Sequence, residues 1–120
     1  MSPARDVAFR VLQRVEAGGY ASDLLRNESA GLSQRDAALA ETIVLGVLRF
    51  QAQLDYLIDH FSGRPQTKLD REVRIALRMG IYQIRYLDRI PSHAAVAESV
   101  ELVKRAKKRS AGALNTIGGI

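Results

Sequence analysis

Basic side chains are concentrated towards the C-terminal end of the chain, in the run Lys104, Arg105, Lys107, Lys108 and Arg109. Guanidinium and ammonium groups at this density bind phosphate oxygens, which makes the run a candidate contact for a nucleic acid backbone. The run also falls at the expected end of a helix, where each cation offsets the helix dipole by about 0.3–1 kcal/mol. Five cations in six residues exceed what that role requires, so we favour phosphate contact.

A second basic group belongs to the first predicted helix. Arg10 and Arg14 are one turn apart and share its polar face, Arg5 lies nearer the edge of that face, and Tyr20 follows the helix. We treat the group as a candidate RNA contact. Solvated surface arginines without a partner give the same pattern, and the sequence leaves both interpretations open.

A later predicted helix carries four arginines within an arc of about 60°, at 100° per residue, beside two tyrosines. These residues are Arg71, Arg74, Arg78, Arg85, Tyr82 and Tyr86. The same arrangement fits RNA binding or a seam of ion pairs with acidic residues from the first half of the chain. We favour the seam, because a packed bundle must place this helix beside others.

Catalytic and metal-binding chemistry finds little support in the residue types. The chain has no cysteine, which excludes thiolate nucleophiles, disulfides and Cys-based metal sites. His60 and His93 are far apart in the sequence and no third histidine accompanies them. We therefore expect no catalytic residue, no metal site and no cofactor.

Charge is divided unequally along the 120 residues, a length that suits one domain with one core (residues 1–120). Residues 1–60 carry six arginines and eight acidic residues, a net charge of −2, whereas residues 61–120 carry twelve basic and five acidic residues, a net charge of +7. This division indicates an anionic partner for the second half. The sequence shows no signal-peptide pattern and no long apolar stretch, so we expect a cytoplasmic location.

Apolar residues recur with helical spacing along the chain, and no segment alternates like a strand, which predicts an all-α fold. We expect six or seven helices in a compact bundle, in two halves at about residues 1–62 and 66–120. The predicted helices cover about residues 3–17, 21–26, 34–61, 69–88, 93–108 and 111–120. Residues 34–61 form either one long helix or two helices with a break near Phe50–Gln53.

Local signals define several of these ends. Pro3 suits a first helical turn, Gly18 and Gly19 end the first helix, and Ser33 caps the third with Asp36 three residues later. The chain Ser62–Pro65 ends the helical region before it. Some residues are expected to face the core. In residues 34–61 they include Leu54, Leu57, Ile58 and Phe61. In residues 69–88 they are Val73, Ala76, Leu77, Gly80, Ile84 and Leu87.

Several sequence blocks also carry a resemblance. They are Ala4-Arg5-Asp6-Val7-Ala8-Phe9, Gly19-Tyr20-Ala21, Ser33-Gln34-Arg35-Asp36, Gly46-Val47-Leu48-Arg49, Leu54-Asp55-Tyr56-Leu57-Ile58, Leu77-Arg78-Met79-Gly80-Ile81-Tyr82-Gln83, and Ile90-Pro91 followed by Ala97-Glu98-Ser99-Val100-Glu101-Leu102-Val103-Lys104-Arg105. In this order, over nearly the whole chain, they make it similar to the NusB family, and most similar to the N-terminal domains of 16S rRNA (cytosine-5)-methyltransferases.

The resemblance implies an all-helical, NusB-like fold of two packed subdomains and a role in RNA binding, with the start of helix one, and thus Arg5, on the RNA surface. The leading hypothesis is a non-catalytic domain that docks ribosomal RNA for a catalytic methyltransferase domain. One alternative is a stand-alone transcription antitermination factor that binds leader RNA and ribosomal protein S10. A helical protein-interaction scaffold without RNA affinity is the other alternative.

Overall fold

The computed structural model describes residues 2–63 and 65–87, together with Val100, Glu101 and Lys104. Its elements are the α-helices α1 (Pro3–Glu16), α2 (Ala21–Glu28), α3 (Gln34–Arg49), α4 (Gln51–Ser62) and α5 (Arg71–Tyr86), with a short 3-10 helix at Gln66–Lys68. No strand occurs within these ranges, so the all-α prediction is confirmed there. Val100, Glu101 and Lys104 are helical, and the rest of the two last predicted helices lies outside the described residues.

The helix ends follow the local chemistry of the sequence. Pro3 occupies the first turn of α1, and Gly18 follows the helix with a φ of +110°, a value that glycine adopts without strain. The Ser33 hydroxyl accepts a hydrogen bond from the Asp36 backbone N–H at 3.1 Å, which caps α3. Gly63 ends α4 with a φ of +74°. These predicted boundaries are confirmed.

The long helical region is two helices, separated at Phe50. Phe50 is both the last cap of α3 and the first cap of α4, and the two helices meet at a bend of 76°. Within the described ranges no single helix is long and apolar enough to cross a membrane, and α3 with α4 reaches that length and composition only as a bent pair.

One hydrophobic core joins the described helices. α1 packs against α2, α3 and α5, and α5 in turn contacts α3 and α4. The largest fully buried apolar side chains include Val11 of α1, Ile43 and Val44 of α3, Leu54 of α4 and Met79 of α5. Because α1 and α5 both run through this core, their polar faces decide what the domain presents to a partner.

Two expected inward residues are exposed, so these predictions were wrong. Phe61 is 77% exposed because it lies in the last turn of α4, where its ring meets that of His60 edge-on at 5.0 Å instead of entering the core. Ile84 is 42% exposed. The buried face of α5 is centred on Ile75 and Met79 rather than on the expected stripe, because this helix packs against three others and not one.

Candidate RNA interface

Two of the three predicted arginines of α1 share a single carboxylate. Arg10 Nε donates to Glu28 Oε2 at 3.3 Å, and Arg14 Nη1 donates to Glu28 Oε1 at 2.8 Å. The side chains of Arg10 and Arg14 are 47% and 62% exposed. Two guanidinium groups against one carboxylate leave a net positive charge on this face, which we call the α1–α2 clamp (Arg10, Arg14 and Glu28).

Arg5 lies on another side of α1. Its Nε donates to the side-chain oxygen of Gln83 in α5 at 2.5 Å, and it is half-buried. Gln83 is itself buried and donates to the Met79 carbonyl at 3.0 Å. The structure therefore groups Arg10 with Arg14 and places Arg5 towards α5, in agreement with its expected position at the edge of the polar face.

Tyr20 is 77% exposed at the start of α2. The chain reverses directly before it, since the Gly19 N–H donates to the Arg14 carbonyl at 2.9 Å. A side chain at Gly19 would come within 3.0 Å of the Arg14 backbone and of Leu24, so glycine permits this close return. This turn holds Tyr20 near the end of α1 that carries Arg14, and it leaves the Tyr20 ring exposed.

The C-terminal basic run is described at one position. Lys104 is helical and exposed. Arg105, Lys107, Lys108 and Arg109 lie outside the described residues. Their assignment to RNA stays a prediction.

The arginines on the arc of α5 take different roles. Arg78 is buried and donates to both carboxylate oxygens of Asp55 in α4, at 2.7 and 3.0 Å. Its Nη1 also lies 3.8 Å from Oε2 of Glu16 in α1. Arg74 pairs with the same Glu16 and donates to the Leu69 carbonyl. For Arg74 and Arg78 the predicted ion-pair seam with the acidic first half is therefore confirmed.

Sequence reasoning missed an aromatic group at the α3–α4 bend. The Phe50 ring stacks on Tyr86 with centroids 4.5 Å apart and planes 11° from parallel, and Tyr82 lies 5.4 Å from Tyr86. Burial raises the pKa of Tyr82 above 10.0, the neighbouring Tyr86 raises it further, and the Arg49 guanidinium opposes the rise. In the sequence, Phe50 was only the first residue of a possible helix break. Helical spacing does not indicate that its ring contacts α5.

A groove of about 550 Å³ runs between α2 and α3. Its apolar lining consists of Leu25, Ala37, Ala38 and Leu45, the last being 46% exposed. Arg26 and Glu41 line it with opposite charges, and Ser29 adds a hydroxyl oxygen that is buried without a hydrogen-bond partner. Such a lining suits a protein segment better than a phosphate backbone.

Histidine, aspartate and glutamate side chains form no group of three that could hold a metal ion within the described ranges. His60 is exposed and lies between Tyr56 and Phe61, with ring distances of 6.2 and 5.0 Å. His93 is outside the described residues.

Comparison with known proteins agrees with this architecture. The sequence matches the NusB family over residues 2–117. It is 43% identical over 94 residues to the protein named ribosomal RNA small subunit methyltransferase B in Escherichia coli O139:H28 (strain E24377A / ETEC), Shigella boydii serotype 18 and Escherichia fergusonii. The matched region covers 78% of this chain and 22% of each relative, so the chain corresponds to about a fifth of those proteins.

No solved structure matches the chain. The family match extends over nearly all of the sequence, through the helices that carry the clamp and the seam. The chain therefore belongs to the NusB family.

Proposed function

We propose that the chain is a non-catalytic RNA-binding domain that docks ribosomal RNA for a methyltransferase catalytic domain. The observation that carries the proposal is the 43% identity to a limited region of ribosomal RNA small subunit methyltransferases. The domain contributes position and the catalytic domain contributes chemistry, because a chain without cysteine lacks the thiolate that cytosine-5 methylation uses. A cytoplasmic location fits a domain that acts on ribosomal RNA.

The α1–α2 clamp supplies the first phosphate contacts in this proposal. Its ion pairs are exposed, and exposed pairs contribute about 0–1 kcal/mol. A phosphate can therefore replace Glu28 as the partner of Arg10 and Arg14 at little cost, and each guanidinium offers a planar pair of donors to it. Arg5, Tyr20 and the C-terminal run, Lys104, Arg105, Lys107, Lys108 and Arg109, extend the proposed surface.

The test is RNA affinity by fluorescence anisotropy across a salt series, with structured and single-stranded 16S rRNA fragments and a duplex DNA control. We expect micromolar or tighter binding that prefers RNA and weakens steeply with salt. Each phosphate contact contributes about 0.7–0.9 to the slope of log affinity against log salt. Binding that is absent at about 50 mM salt, where phosphate contacts are strongest, contradicts the proposal.

Two variants at the clamp have opposite expected effects. Arg10→Gln with Arg14→Gln removes both donors and lowers affinity and salt slope, whereas Glu28→Gln releases both arginines and raises affinity. Damage to the fold cannot produce both signs. Arg26→Gln with Arg35→Gln is the matched control, because it removes the same charge from exposed positions on α2 and α3. Equal loss in the two double variants excludes the clamp as an RNA site.

The same measurements separate the alternatives. Preference for single-stranded leader RNA, with co-purification of ribosomal protein S10, identifies an antitermination factor. The apolar groove between α2 and α3 favours the protein-interaction scaffold, which we expect to bind no RNA and to lose a protein partner when Leu45 is changed to Glu. Charge reversal of Lys104, Arg105, Lys107 and Lys108 tests the C-terminal run, and unchanged RNA affinity in the folded variant excludes it.

A further inference from the structure

The aromatic group at the α3–α4 bend has two arginines beside it. The Arg49 guanidinium carbon lies 5.3 Å from the centroid of the Phe50 ring, and that of Arg85 lies 5.8 Å from the centroid of Tyr86. These two rings are the ones that stack on each other at 4.5 Å. Cation, two parallel rings and cation thus form one continuous group, which we call the bend cluster (Arg49, Phe50, Arg85 and Tyr86).

The two cations differ from Arg74 and Arg78 of the ion-pair seam. Arg49 and Arg85 are exposed, and among the described residues neither forms an ion pair. Arg74 and Arg78, on the same helix as Arg85, are both held by carboxylates. An anion can therefore bind the two arginines of the bend cluster without first displacing a carboxylate that belongs to the described residues.

The rings are held before any ligand arrives. The Tyr86 hydroxyl donates to Gln53 of α4, and the Phe50 backbone N–H donates to the Gly46 carbonyl at 3.0 Å. Tyr82 is buried behind Tyr86 and packs directly over Gly46. Because Phe50 and Tyr86 are only partly buried, the cluster presents ring surface to solvent in a fixed orientation, and this lowers the entropic cost of binding.

Aromatic rings with adjacent guanidinium groups match the two parts of an unpaired nucleotide. A base stacks on ring or guanidinium planes, and a flanking phosphate accepts hydrogen bonds from the arginines. Paired bases in an A-form helix are stacked on each other and do not offer their faces. Rings and guanidinium groups in this arrangement therefore suit unpaired nucleotides better than helical RNA.

We propose that the bend cluster is a second RNA contact, which binds an unpaired nucleotide by stacking and by phosphate contact. The inference rests on the proposed RNA-binding function and adds to it the feature of RNA that this part of the domain recognises. It involves none of the residues of the α1–α2 clamp. The two contacts therefore have separate tests.

The decisive comparison uses two double variants of equal charge. Arg49→Gln with Arg85→Gln removes the cations of the cluster, and Arg35→Gln with Arg71→Gln removes two exposed arginines from the same two helices, α3 and α5, away from the rings. The probes are a fluorescent single-stranded RNA oligonucleotide and the same oligonucleotide annealed to its full complement, in which every base is paired. We expect the first variant to weaken single-strand binding several-fold more than the second.

Ring variants test the stacking. Tyr86→Phe keeps the ring and loses only the hydrogen bond to Gln53, so it should weaken single-strand binding less than Tyr86→Leu does. Tyr86→Leu should bind the single strand roughly 5- to 100-fold more weakly, the range that loss of one stacked base gives. A 2-aminopurine base in the probe reports stacking directly, because its fluorescence falls when it stacks. Circular dichroism confirms that each variant is folded.

The outcomes are distinct. If the unchanged protein binds no RNA, the proposed function fails and the inference fails with it. If the protein binds RNA but the two charge variants are equal and 2-aminopurine is not quenched, the proposed function stands and the bend cluster is a structural contact between α3, α4 and α5. Selective loss of single-strand binding, with quenching that Tyr86→Leu abolishes, supports the inference.

Discussion

A methyl group at Gly46 should destabilise the fold because of one ring. A side chain there would overlap the Tyr82 ring at well under 3.0 Å, whereas carbon atoms in contact are about 3.5–4.0 Å apart. Overpacking costs about 1–3 kcal/mol, and an overlap this deep belongs to the upper part of that range, about 2–3 kcal/mol. Alanine is better than glycine in a helix interior by about 1 kcal/mol, which offsets part of the cost. For Gly46→Ala we expect a net loss of about 1–2 kcal/mol in the free energy of unfolding.

Urea denaturation followed by circular dichroism measures this loss. With a slope of about 1–2 kcal/mol per molar urea for a small domain, the midpoint should fall by about 1 M. The same substitution in a Tyr82→Leu background meets no ring, so there we expect a gain of up to about 1 kcal/mol from helix propensity. The sign should therefore reverse between the two backgrounds, which corresponds to a coupling of about 2–3 kcal/mol.

Gly31→Ala is the matched control. A side chain at Gly31 meets nothing within 4 Å, so the change should stay within about 0.5 kcal/mol. If Gly46→Ala is as stable as the unchanged protein, or has the same effect with and without the Tyr82 ring, then the close approach of α3 and α5 described above is wrong.

Three further changes test the seam, the cap and the buried tyrosine. Arg78→Ala should lower the free energy of unfolding by about 2–3 kcal/mol, because Asp55 loses two charge-assisted hydrogen bonds in a largely buried position; additive losses in the Arg78→Ala, Asp55→Ala double variant would exclude the pair. Ser33→Ala should cost about 1 kcal/mol through the lost cap of α3, and an unchanged urea midpoint would show that the hydroxyl contributes nothing. The raised pKa of Tyr82 means that the unfolded chain releases this proton first, so stability should be intact below pH 10 and fall as the pH rises above it; Tyr82→Phe should show a smaller fall, and parallel pH profiles would refute the shift.

Features governed by neighbours in the sequence were predictable. Pro3, Gly18, Ser33 and Gly63 act within one turn of their own position, through fixed φ angles and a side-chain cap. Their effects depend on local geometry that every helix shares. Both ends of α1, the start of α3 and the end of α4 could therefore be predicted from residue type alone.

Features governed by packing were predictable only as alternatives. A helical projection gives the angle of Arg78 about its axis but not the residue opposite, so the sequence favoured an ion-pair seam over RNA contact without identifying its acidic partners. The hydrogen bonds from Arg78 to Asp55 show that the seam is correct. Asp55 lies on α4, which meets α3 at a bend of 76°. The sequence left open whether the helix breaks there and gave no angle.

In the candidate RNA interface, too, features set by neighbours in the sequence were predictable and features set by packing were not. Arg10 and Arg14 were predicted to share a face because they are four residues apart. Their common partner Glu28 could not be predicted, since it depends on how α2 packs against α1. Ile84 was misplaced because its helix touches three neighbours, and a single apolar stripe does not describe a helix that is buried on most of its circumference.

The ion pairs of Glu16 and Asp55 change how the protein appears to a distant polyanion. The two halves of the sequence carry net charges of −2 and +7. Without ion pairs between the halves, these charges would indicate a strongly dipolar molecule. Arg74 and Arg78 belong to the basic half, and their partners belong to the acidic half. Their fields largely cancel beyond a Debye length of about 8 Å at physiological salt.

The pairing leaves the net charge of +5 unchanged and reduces only the separation of charge between the two halves. The rate of association with a polyanion should therefore follow the net charge and not the larger charge of the second half alone. The lifetime of the complex, by contrast, depends on contacts that form after the first encounter.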